Sequence, residues 1–290
     1  MTVIIFGAGG QDGYYLTRLL QSMGHNVIGV SRRGHFDHSD ITDYESVSKL
    51  ILKHSPKYVF HMAANSTTKH EALFENHATI ATGTLNILEA VKNVSPSTKV
   101  FISGSGLQFK NTGEPIKESD PFEARDAYSV SRIQSVFAAR YYRTLGLQVY
   151  VGYFYNHDSP YRTERHISKK ITEAVKRIAN GSQEKIEIGD GSVIKEWTYA
   201  GDIVEGIMKL VLQDVIFEAN ISSGIGYSIE DWITTCFTII KKDHRDHIIE
   251  KKDFKPEYNS LVSDSSVIRS LGFTPKVNFT QLAQMMINDK

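Results

Sequence analysis

The chain opens with Thr2-Val3-Ile4-Ile5-Phe6-Gly7-Ala8-Gly9-Gly10-Gln11-Asp12-Gly13, followed by Tyr14-Tyr15-Leu16. The apolar run predicts a buried strand, the glycines a tight turn, and the residues after them a helix. In such a turn Gly7 permits the bend, Gly10 lets the backbone approach a pyrophosphate, and Gly13 lets the helix pack closely. Gln11 and Asp12 are further candidate contacts, beside free helix N–H groups. The stretch predicts a dinucleotide site, with a plain strand-to-helix turn as the alternative.

Short apolar runs like the first one recur through the first half of the chain. They lie near residues 3–6, 27–30, 58–62, 100–103 and 149–153. Helical patterns separate them, near residues 16–23, 47–51 and 80–91. Continuously apolar strands that alternate with helices indicate a parallel sheet covered on both faces. The sequence therefore predicts an α/β fold with a doubly wound parallel (Rossmann) sheet.

The pattern loosens after about residue 155. Helical stretches follow near residues 166–179, 199–213, 228–240 and 278–288, with short strands near 185–188 and 216–221. We expect residues 1–155 to form a dinucleotide-binding domain and residues 156–290 to form mainly a smaller, substrate-binding lobe. Segments near residues 185–221 are expected to return to the first domain. Ligands of such sheets bind at the carboxyl ends of the strands.

The amino-acid composition limits the kinds of partner that we expect for this protein. The 290 residues include 33 basic and 33 acidic side chains, so no overall field attracts nucleic acid or a membrane surface. A single cysteine, Cys236, excludes an internal disulfide and fits a reducing cytoplasm. We find no membrane-spanning run and no signal peptide, and we assign no metal ligands. The expectation is a soluble, cytoplasmic protein without nucleic-acid or membrane partners.

The end of the second strand decides which dinucleotide is held. An acidic residue there would accept the ribose hydroxyls of NAD, but the chain has Arg32 and Arg33, which offer two cations to a 2′-phosphate. This favours NADP, with no carboxylate to oppose it and NAD still possible; two solvated surface arginines are the alternative. Asp40 and Ile41 are candidates for the adenine edge, although Asp40 is equally suited to a turn or a helix cap.

A candidate reaction centre follows the fourth strand. Tyr128 and Arg132 are four residues apart and project from one face of a predicted helix. Tyrosine is a poor acid–base catalyst at neutral pH unless a fixed cation stabilises its phenolate, and Arg132 supplies that cation. Without further context, such a pair is usually an ordinary packed and solvated helix face.

These motifs together resemble the extended short-chain dehydrogenase/reductases, which act mostly on nucleotide sugars. The resemblance rests on Gly7-x-x-Gly10-x-x-Gly13, His61-Met62-Ala63-Ala64, Gly83-Thr84-Leu85-Asn86 and Tyr128-x-x-x-Arg132. Within that family the chain is most similar to the GDP-mannose 4,6-dehydratases and the related GDP-4-keto-6-deoxymannose reductases. The segment from Asn156 to Arg162 is the most specific piece, and the likeness covers nearly the whole chain.

The resemblance implies further site residues. Ala63 would contact the cofactor, Asn156 the sugar, and Lys170 would lie on the helix that enters the substrate lobe. Lys195 and Lys255 stand where the family tends to have arginines that grip the nucleotide diphosphate. Both keep the charge but lose the bidentate fork, and a solvated role is the alternative for each.

The resemblance also exposes departures at the reaction centre. The family serine or threonine aligns with Gly104, which leaves Ser105 as a stand-in, and the usual lysine is Arg132. The glutamate that serves the dehydratases as acid and base aligns with Gly106. Because the base that removes the C5 proton is missing, a 4,6-dehydratase is disfavoured.

Three hypotheses follow. The first is an NADP-dependent oxidoreductase that transfers hydride at C4 of a GDP-linked sugar or 4-keto sugar, with Tyr128, Arg132 and Ser105 at the reaction centre. The second is a nucleotide-sugar epimerase or 4,6-dehydratase with a non-standard base. The third is a non-catalytic cofactor-binding or regulatory homologue. The short loop between Arg33 and Asp40 implies the family homodimer, packed through helices near 76–94 and 127–145.

Overall fold

The computed structural model of the protein describes residues 1–289. Its centre is a six-stranded sheet in the order β2-β1-β3-β4-β5-β10, with every neighbouring pair parallel. The strands are β1 (Thr2–Phe6), β2 (Asn26–Val30), β3 (Tyr58–His61), β4 (Lys99–Ser105), β5 (Val149–Phe154) and β10 (Glu218–Ile221). The α/β class and the doubly wound parallel sheet are therefore confirmed. The order reverses next to β1, which is where ligands of such sheets bind.

Helices cover both faces of this sheet. One face carries α2 (Tyr44–His54), α4 (Gly83–Val94) and α5 (Ala127–Thr144), and the other carries α1 (Gln11–Ser22), α7 (Ala200–Val211) and α9 (Ser266–Ser270). A short helix α3 (Leu73–Asn76) leads through a π-helical turn (His77–Thr82) into α4. Strands β1, β3, β4 and β5 are buried on both sides and read as largely apolar runs, whereas the edge strand β2 is only partly buried.

A second lobe has its own core. It contains α6 (Ile167–Ala179), α8 (Ile229–Ile239) and α10 (Phe279–Asn288), packed around the stacked rings of Trp197 and Trp232. Its short strands are β6 (His157–Asp158), β7 (Ile186–Ile188), β8 (Ile194–Glu196), β9 (Thr198–Tyr199), β11 (Gly226–Ser228), β12 (Ile248–Glu250) and β13 (Ser260–Leu261). They pair among themselves as β11-β8-β13, β12-β7 and β6-β9.

The segment near residues 185–221 is split between the two parts. Helix α7 and strand β10 pack on or join the central sheet, whereas β7 and β8 pair with strands of the second lobe. The crossover from β5 to β10 therefore passes through the second lobe before it returns. This places the lobe at the carboxyl edge of the sheet, and the division between residues 155 and 156 stays a prediction.

Candidate active site

The glycine turn brings the end of β1 close to the end of β3. Gly7 has a φ of +91°, and a Cβ atom there would lie 2.6 Å from the backbone nitrogen of Ala63. A Cβ atom on Gly13 would lie 2.3 Å from the carbonyl oxygen of Gly7. Helix α1 begins at Gln11, and no side chain caps its first turn. The turn therefore leaves helix N–H groups free for an anionic ligand.

A cavity of about 280 Å³ lies over this turn, at the carboxyl edge of the sheet. The predicted residues that line it are Gly7, Gly10, Gln11, Asp12, Gly13, Ser105, Tyr128, Arg132 and Asn156. Predicted residues outside this lining are Arg32, Arg33, Asp40, Ile41, Ala63, Lys170, Lys195 and Lys255, although Ala64 lines it next to Ala63. One space thus joins the glycine turn to the Tyr128 pair.

The first turn of α5 carries the predicted reaction centre. Asp126 caps the helix by accepting hydrogen bonds from the backbone N–H groups of Tyr128 and Ser129, both at 2.8 Å. The guanidinium carbon of Arg132 lies 4.9 Å from the ring centre of Tyr128. Arg132 donates to the hydroxyl of Ser103 at 2.9 Å and to its carbonyl, and its Nε has no partner. Within residues 1–289 no carboxylate pairs with this buried cation, which keeps a donor for a ligand.

Ser105 lies at the end of β4 and lines the same cavity. Its Oγ accepts a hydrogen bond from the backbone N–H of Leu107 at 3.2 Å, and its own N–H donates to the side chain of Gln108 at 2.9 Å. This capping arrangement fixes the position of the serine. The hydroxyl proton remains available, because an accepting hydroxyl still has its donor.

Aromatic rings occupy the space beside Gly104 and Gly106. A Cβ atom on Gly104 would lie 2.6 Å from a ring carbon of Tyr153, and one on Gly106 would lie 2.6 Å from a ring carbon of Tyr155. Tyr153 donates its hydroxyl to Glu218 at 2.6 Å. The Tyr155 hydroxyl is buried without a partner, and burial raises its pKa. The space beside Gly106 is therefore filled by a neutral aromatic side chain.

The segment after β5 contacts the glycine turn through His157. Its Nε2 lies 2.8 Å from Oδ1 of Asp12, and its Nδ1 lies 2.7 Å from the carbonyl oxygen of Tyr155. Ser159 donates to the side chain of Gln11 at 2.8 Å. Gln11 and Asp12 therefore line the cavity and also form hydrogen bonds, with Ser159 and His157 respectively.

A carboxylate from another part of the chain, Glu75 on α3, lies beside the residues that follow β2. Arg32 pairs with Glu75 at 3.1 Å, and Asn65 donates to the same carboxylate at 2.8 Å. Arg33 is exposed. The expectation that no carboxylate opposes these arginines is therefore wrong for Arg32, because Glu75, distant in sequence, lies beside it.

Asp40 and Ile41 lie in the turn that leads to α2. Asp40 accepts hydrogen bonds from the N–H and the hydroxyl of Thr42, both at 2.9 Å, which is the turn role left open above. Ile41 lies against Gly83, and its carbonyl accepts a hydrogen bond from Asn86 at 2.9 Å. Asp40 is exposed, so its second carboxylate oxygen remains free for an adenine edge.

The predicted lysines occupy different surroundings. The ammonium of Lys195 lies 5.6 Å from the ring centre of Tyr258, which lines the cavity, and burial lowers the pKa of Lys195. Lys170 instead donates to the carbonyl oxygen of Glu187 at 2.6 Å. Lys255 is exposed. Of the three, Lys195 is the one whose ammonium lies beside an aromatic ring of the cavity wall.

Several cavity residues were not singled out from the sequence. They are His157, Tyr155, Arg162, Arg165 and His166. All follow directly after the carboxyl end of β5, the position where α/β sheets place ligand contacts. That rule, applied to every residue of the segment rather than to Asn156 alone, would have found them.

Neither a metal-ligand cluster nor a membrane-spanning helix occurs in the described part of the chain. No group of three His, Cys, Asp or Glu side chains among residues 1–289 is arranged to hold a metal ion. No helix in the same range is long and apolar enough to cross a bilayer.

The chain was compared with known proteins. The sequence model of the GDP-mannose 4,6 dehydratase family matches residues 4–286. GDP-mannose 4,6 dehydratase 2 of Arabidopsis thaliana is 28% identical over 319 residues, which cover 99% of this chain and 86% of that protein.

Solved structures share the fold. RMD of Pseudomonas aeruginosa, complexed with NADPH, has a TM-score of 0.87 at 20% identity and covers 99% of this chain and 98% of its own. dTDP-glucose 4,6-dehydratase of Bacillus anthracis, in complex with NAD, has a TM-score of 0.86 at 18% identity over 99% of this chain and 95% of its own. With the match to nearly the whole sequence, these findings show that the chain belongs to the GDP-mannose 4,6-dehydratase family, within the extended short-chain dehydrogenase/reductases.

Proposed function

We propose that the protein is an NADP-dependent oxidoreductase that transfers hydride at C4 of a GDP-linked sugar or 4-keto sugar. The observation that carries the proposal is a set of buried polar atoms without partners in the cavity wall. They are Nε of Arg132, the hydroxyl of Tyr155 and Oδ1 of Asn156. Buried polar groups are nearly always hydrogen-bonded, so this wall is built for a polar ligand.

The residues present fit a nicotinamide dinucleotide. The uncapped first turn of α1 and the close approach at Gly7 suit a pyrophosphate. Arg132 keeps a free donor for the hydroxyls of the nicotinamide ribose. Arg32 and Arg33 favour the 2′-phosphate of NADP once Arg32 leaves Glu75, and exposed pairs of this kind contribute at most about 1 kcal/mol each. Among the structural relatives, one was solved with NADPH and another with NAD.

Tyr128 carries the proposed proton transfer. A bound nicotinamide supplies or accepts the hydride. Tyr128 gives a proton to the C4 oxygen when a ketone is reduced, or takes it when an alcohol is oxidised. The guanidinium carbon of Arg132 lies 4.9 Å from the Tyr128 ring centre, so a positive charge stands beside the group that we propose transfers the proton. Ser105 offers its hydroxyl proton to the same sugar oxygen.

The cavity wall favours redox chemistry over elimination of water. Asp12 is the one carboxylate among the lining residues, and it is already bound by His157 at 2.8 Å. The ring of Tyr155 fills the space beside Gly106, where the dehydratase glutamate would stand. A free carboxylate base for the C5 proton is therefore missing from this lining. We infer that GDP-mannose is not dehydrated at a rate typical of the family.

A nucleotide diphosphate suits the second-lobe side of the cavity. Asn156 carries a buried oxygen without a hydrogen-bond partner there, and Lys195 is half-buried beside the ring of Tyr258 without a hydrogen-bonded anion among residues 1–289. We propose that Asn156 contacts the sugar and that Lys195, Lys255 and Lys170 attract the diphosphate of the nucleotide sugar. Calorimetry with GDP and UDP tests the base: GDP binds tighter in our proposal, whereas tighter UDP binding contradicts it.

The activity is tested with purified protein. Mass spectrometry of released small molecules identifies a bound dinucleotide or nucleotide sugar, and NADPH oxidation is followed with GDP-linked 4-keto sugars. Tyr128→Phe should lower turnover by about 10²–10⁴-fold with nearly unchanged cofactor binding. Tyr58→Phe is the matched control, since Tyr58 is equally buried and stands at the start of β3, away from the cavity. Equal turnover in Tyr128→Phe and the unmodified protein contradicts the mechanism; efficient dehydration of GDP-mannose supports the second hypothesis.

We further propose that the protein is a homodimer that packs through α4 and α5. Leu85 on α4 and Phe137 and Tyr141 on α5 are 48%, 57% and 59% exposed. Exposed apolar side chains that share a surface mark interaction sites. Leu85→Glu combined with Tyr141→Glu should yield monomers by light scattering. Leu52→Glu is the control, since Leu52 is 60% exposed on α2, and a dimer that survives the double substitution uses another surface.

A further inference from the structure

The protonation state of His157 follows from its two hydrogen bonds. Nδ1 faces the backbone carbonyl of Tyr155 at 2.7 Å, and Nε2 faces the carboxylate of Asp12 at 2.8 Å. Carbonyl and carboxylate oxygens only accept hydrogen bonds. Both ring nitrogens must therefore carry a proton, so His157 is an imidazolium paired with the Asp12 carboxylate.

The pair is enclosed where the glycine turn meets the second lobe. The side chain of His157 is 9% exposed and that of Asp12 is 22% exposed. Burial alone would raise the pKa of Asp12, but the charge and hydrogen bond of His157 lower it to about 2. Burial works against protonation of His157, and the Asp12 carboxylate outweighs it, so the pKa of His157 is raised. The two groups therefore hold opposite charges at neutral pH.

Other charged or titratable groups also surround His157. Arg162 lies close enough to oppose protonation of His157 and to favour ionised Asp12. Asp158 lies 3.4 Å from Arg162 and balances that cation. Burial first, and then Arg162, lower the pKa of His166 to about 4, so His166 is neutral at neutral pH. Arg165 is exposed at the edge of the cavity. Asp12 is thus the anion that holds the proton on His157.

Asp12 stands in the first turn of α1, where the diphosphate of a dinucleotide is expected. A carboxylate in a first turn stabilises the helix but repels a second anion. We propose that the imidazolium of His157 is a positioning residue: it neutralises Asp12, so that the glycine turn accepts a dinucleotide diphosphate. Together with the hydrogen bond from Ser159 to Gln11, the pair also fixes this turn against the substrate segment after β5. The inference rests on the cofactor site of the proposed function and adds its pH dependence.

The sign of the pH effect follows from the raised pKa of His157. The ion pair is complete below the ordinary histidine pKa of about 6.5, and it is lost as the pH rises through the higher pKa of the folded protein. Above that point Asp12 becomes a carboxylate without a cation next to the diphosphate. Dinucleotide affinity should therefore fall as the solution becomes alkaline.

The test uses fluorescence titration of the full chain with NADH, which has no 2′-phosphate to titrate, and with NADPH. His157→Gln keeps a donor toward Asp12 but no charge, so NADH should bind roughly 10- to 100-fold more weakly at neutral pH. His157→Gln with Asp12→Asn removes both charges and should restore binding to within a few-fold. His54→Gln on α2 is the control for an unrelated histidine.

The pH profile separates this role from a merely structural one. From about pH 6 to about pH 9.5, the unmodified protein and His54→Gln should lose NADH affinity, whereas the double variant should show a flat profile. Unchanged affinity in His157→Gln, or the same slope in the double variant, overturns the inference while the cofactor site stands. Failure of the unmodified protein to bind either dinucleotide refutes the proposed function and this inference together. If His157→Gln does not fold, the slope of the double variant against the unmodified protein still decides.

Discussion

Gly106→Ala tests whether the ring of Tyr155 excludes a side chain at position 106. The added Cβ atom would lie 2.6 Å and 2.8 Å from two ring carbons of Tyr155, a side chain with 4% of its surface exposed. Overpacking of this kind costs about 1–3 kcal/mol, while restricting the unfolded chain at a former glycine returns about 0.4–1 kcal/mol. We therefore expect the free energy of unfolding to fall by about 1–2 kcal/mol.

Urea unfolding followed by circular dichroism measures the change, and a second substitution isolates its cause. In a Tyr155→Leu background the planar ring is gone, so Gly106→Ala should cost at least about 1 kcal/mol less than it does beside Tyr155. The same cost in both backgrounds would refute the steric argument. For the same reason, Gly106→Glu alone should not confer dehydration of GDP-mannose, because the carboxylate has no room beside Tyr155.

Four further outcomes are expected. Arg132→Lys should retain or raise redox turnover, because lysine also relays protons, whereas Arg132→Ala should weaken both turnover and cofactor binding in steady-state assays and titrations. Glu75→Gln should free Arg32 and raise the ratio of NADPH to NADH affinity by about two- to fivefold, since exposed ion pairs contribute at most about 1 kcal/mol. An unchanged ratio would show that Glu75 has no part in the choice between the two cofactors. Tyr155→Phe should leave the urea midpoint equal or higher, because its hydroxyl has no partner to lose, and a clear drop would reveal one. Burial alone would raise the pKa of Glu218, but hydrogen bonds from two arginines and a tyrosine lower it to about 2. The free energy of unfolding should therefore fall as the pH drops from about 4.5 to about 2. Glu218→Gln should flatten this part of the pH profile of unfolding.

Local patterns in the sequence were enough for the sheet and for part of the site. The strands begin and end within a few residues of the predicted runs, because a strand covered on both faces must be apolar along its whole length. The glycine turn was predictable because its conformation depends on neighbours in sequence. Tyr128 and Arg132 meet because a helix places residues four apart on one face.

Contacts between distant parts of the chain were decided only by the tertiary structure. His157 reaches Asp12 across 145 positions, and Arg32 reaches Glu75 across 43. Neither pair has a spacing that a sequence pattern can reveal, since the parallel sheet brings the carboxyl ends of its strands together whatever the length of chain between them. Local sequence is thus enough to predict the sheet, the turn and the tyrosine–arginine pair, whereas the three-dimensional fold determines which charges are neutralised and that Tyr155 fills the space beside Gly106.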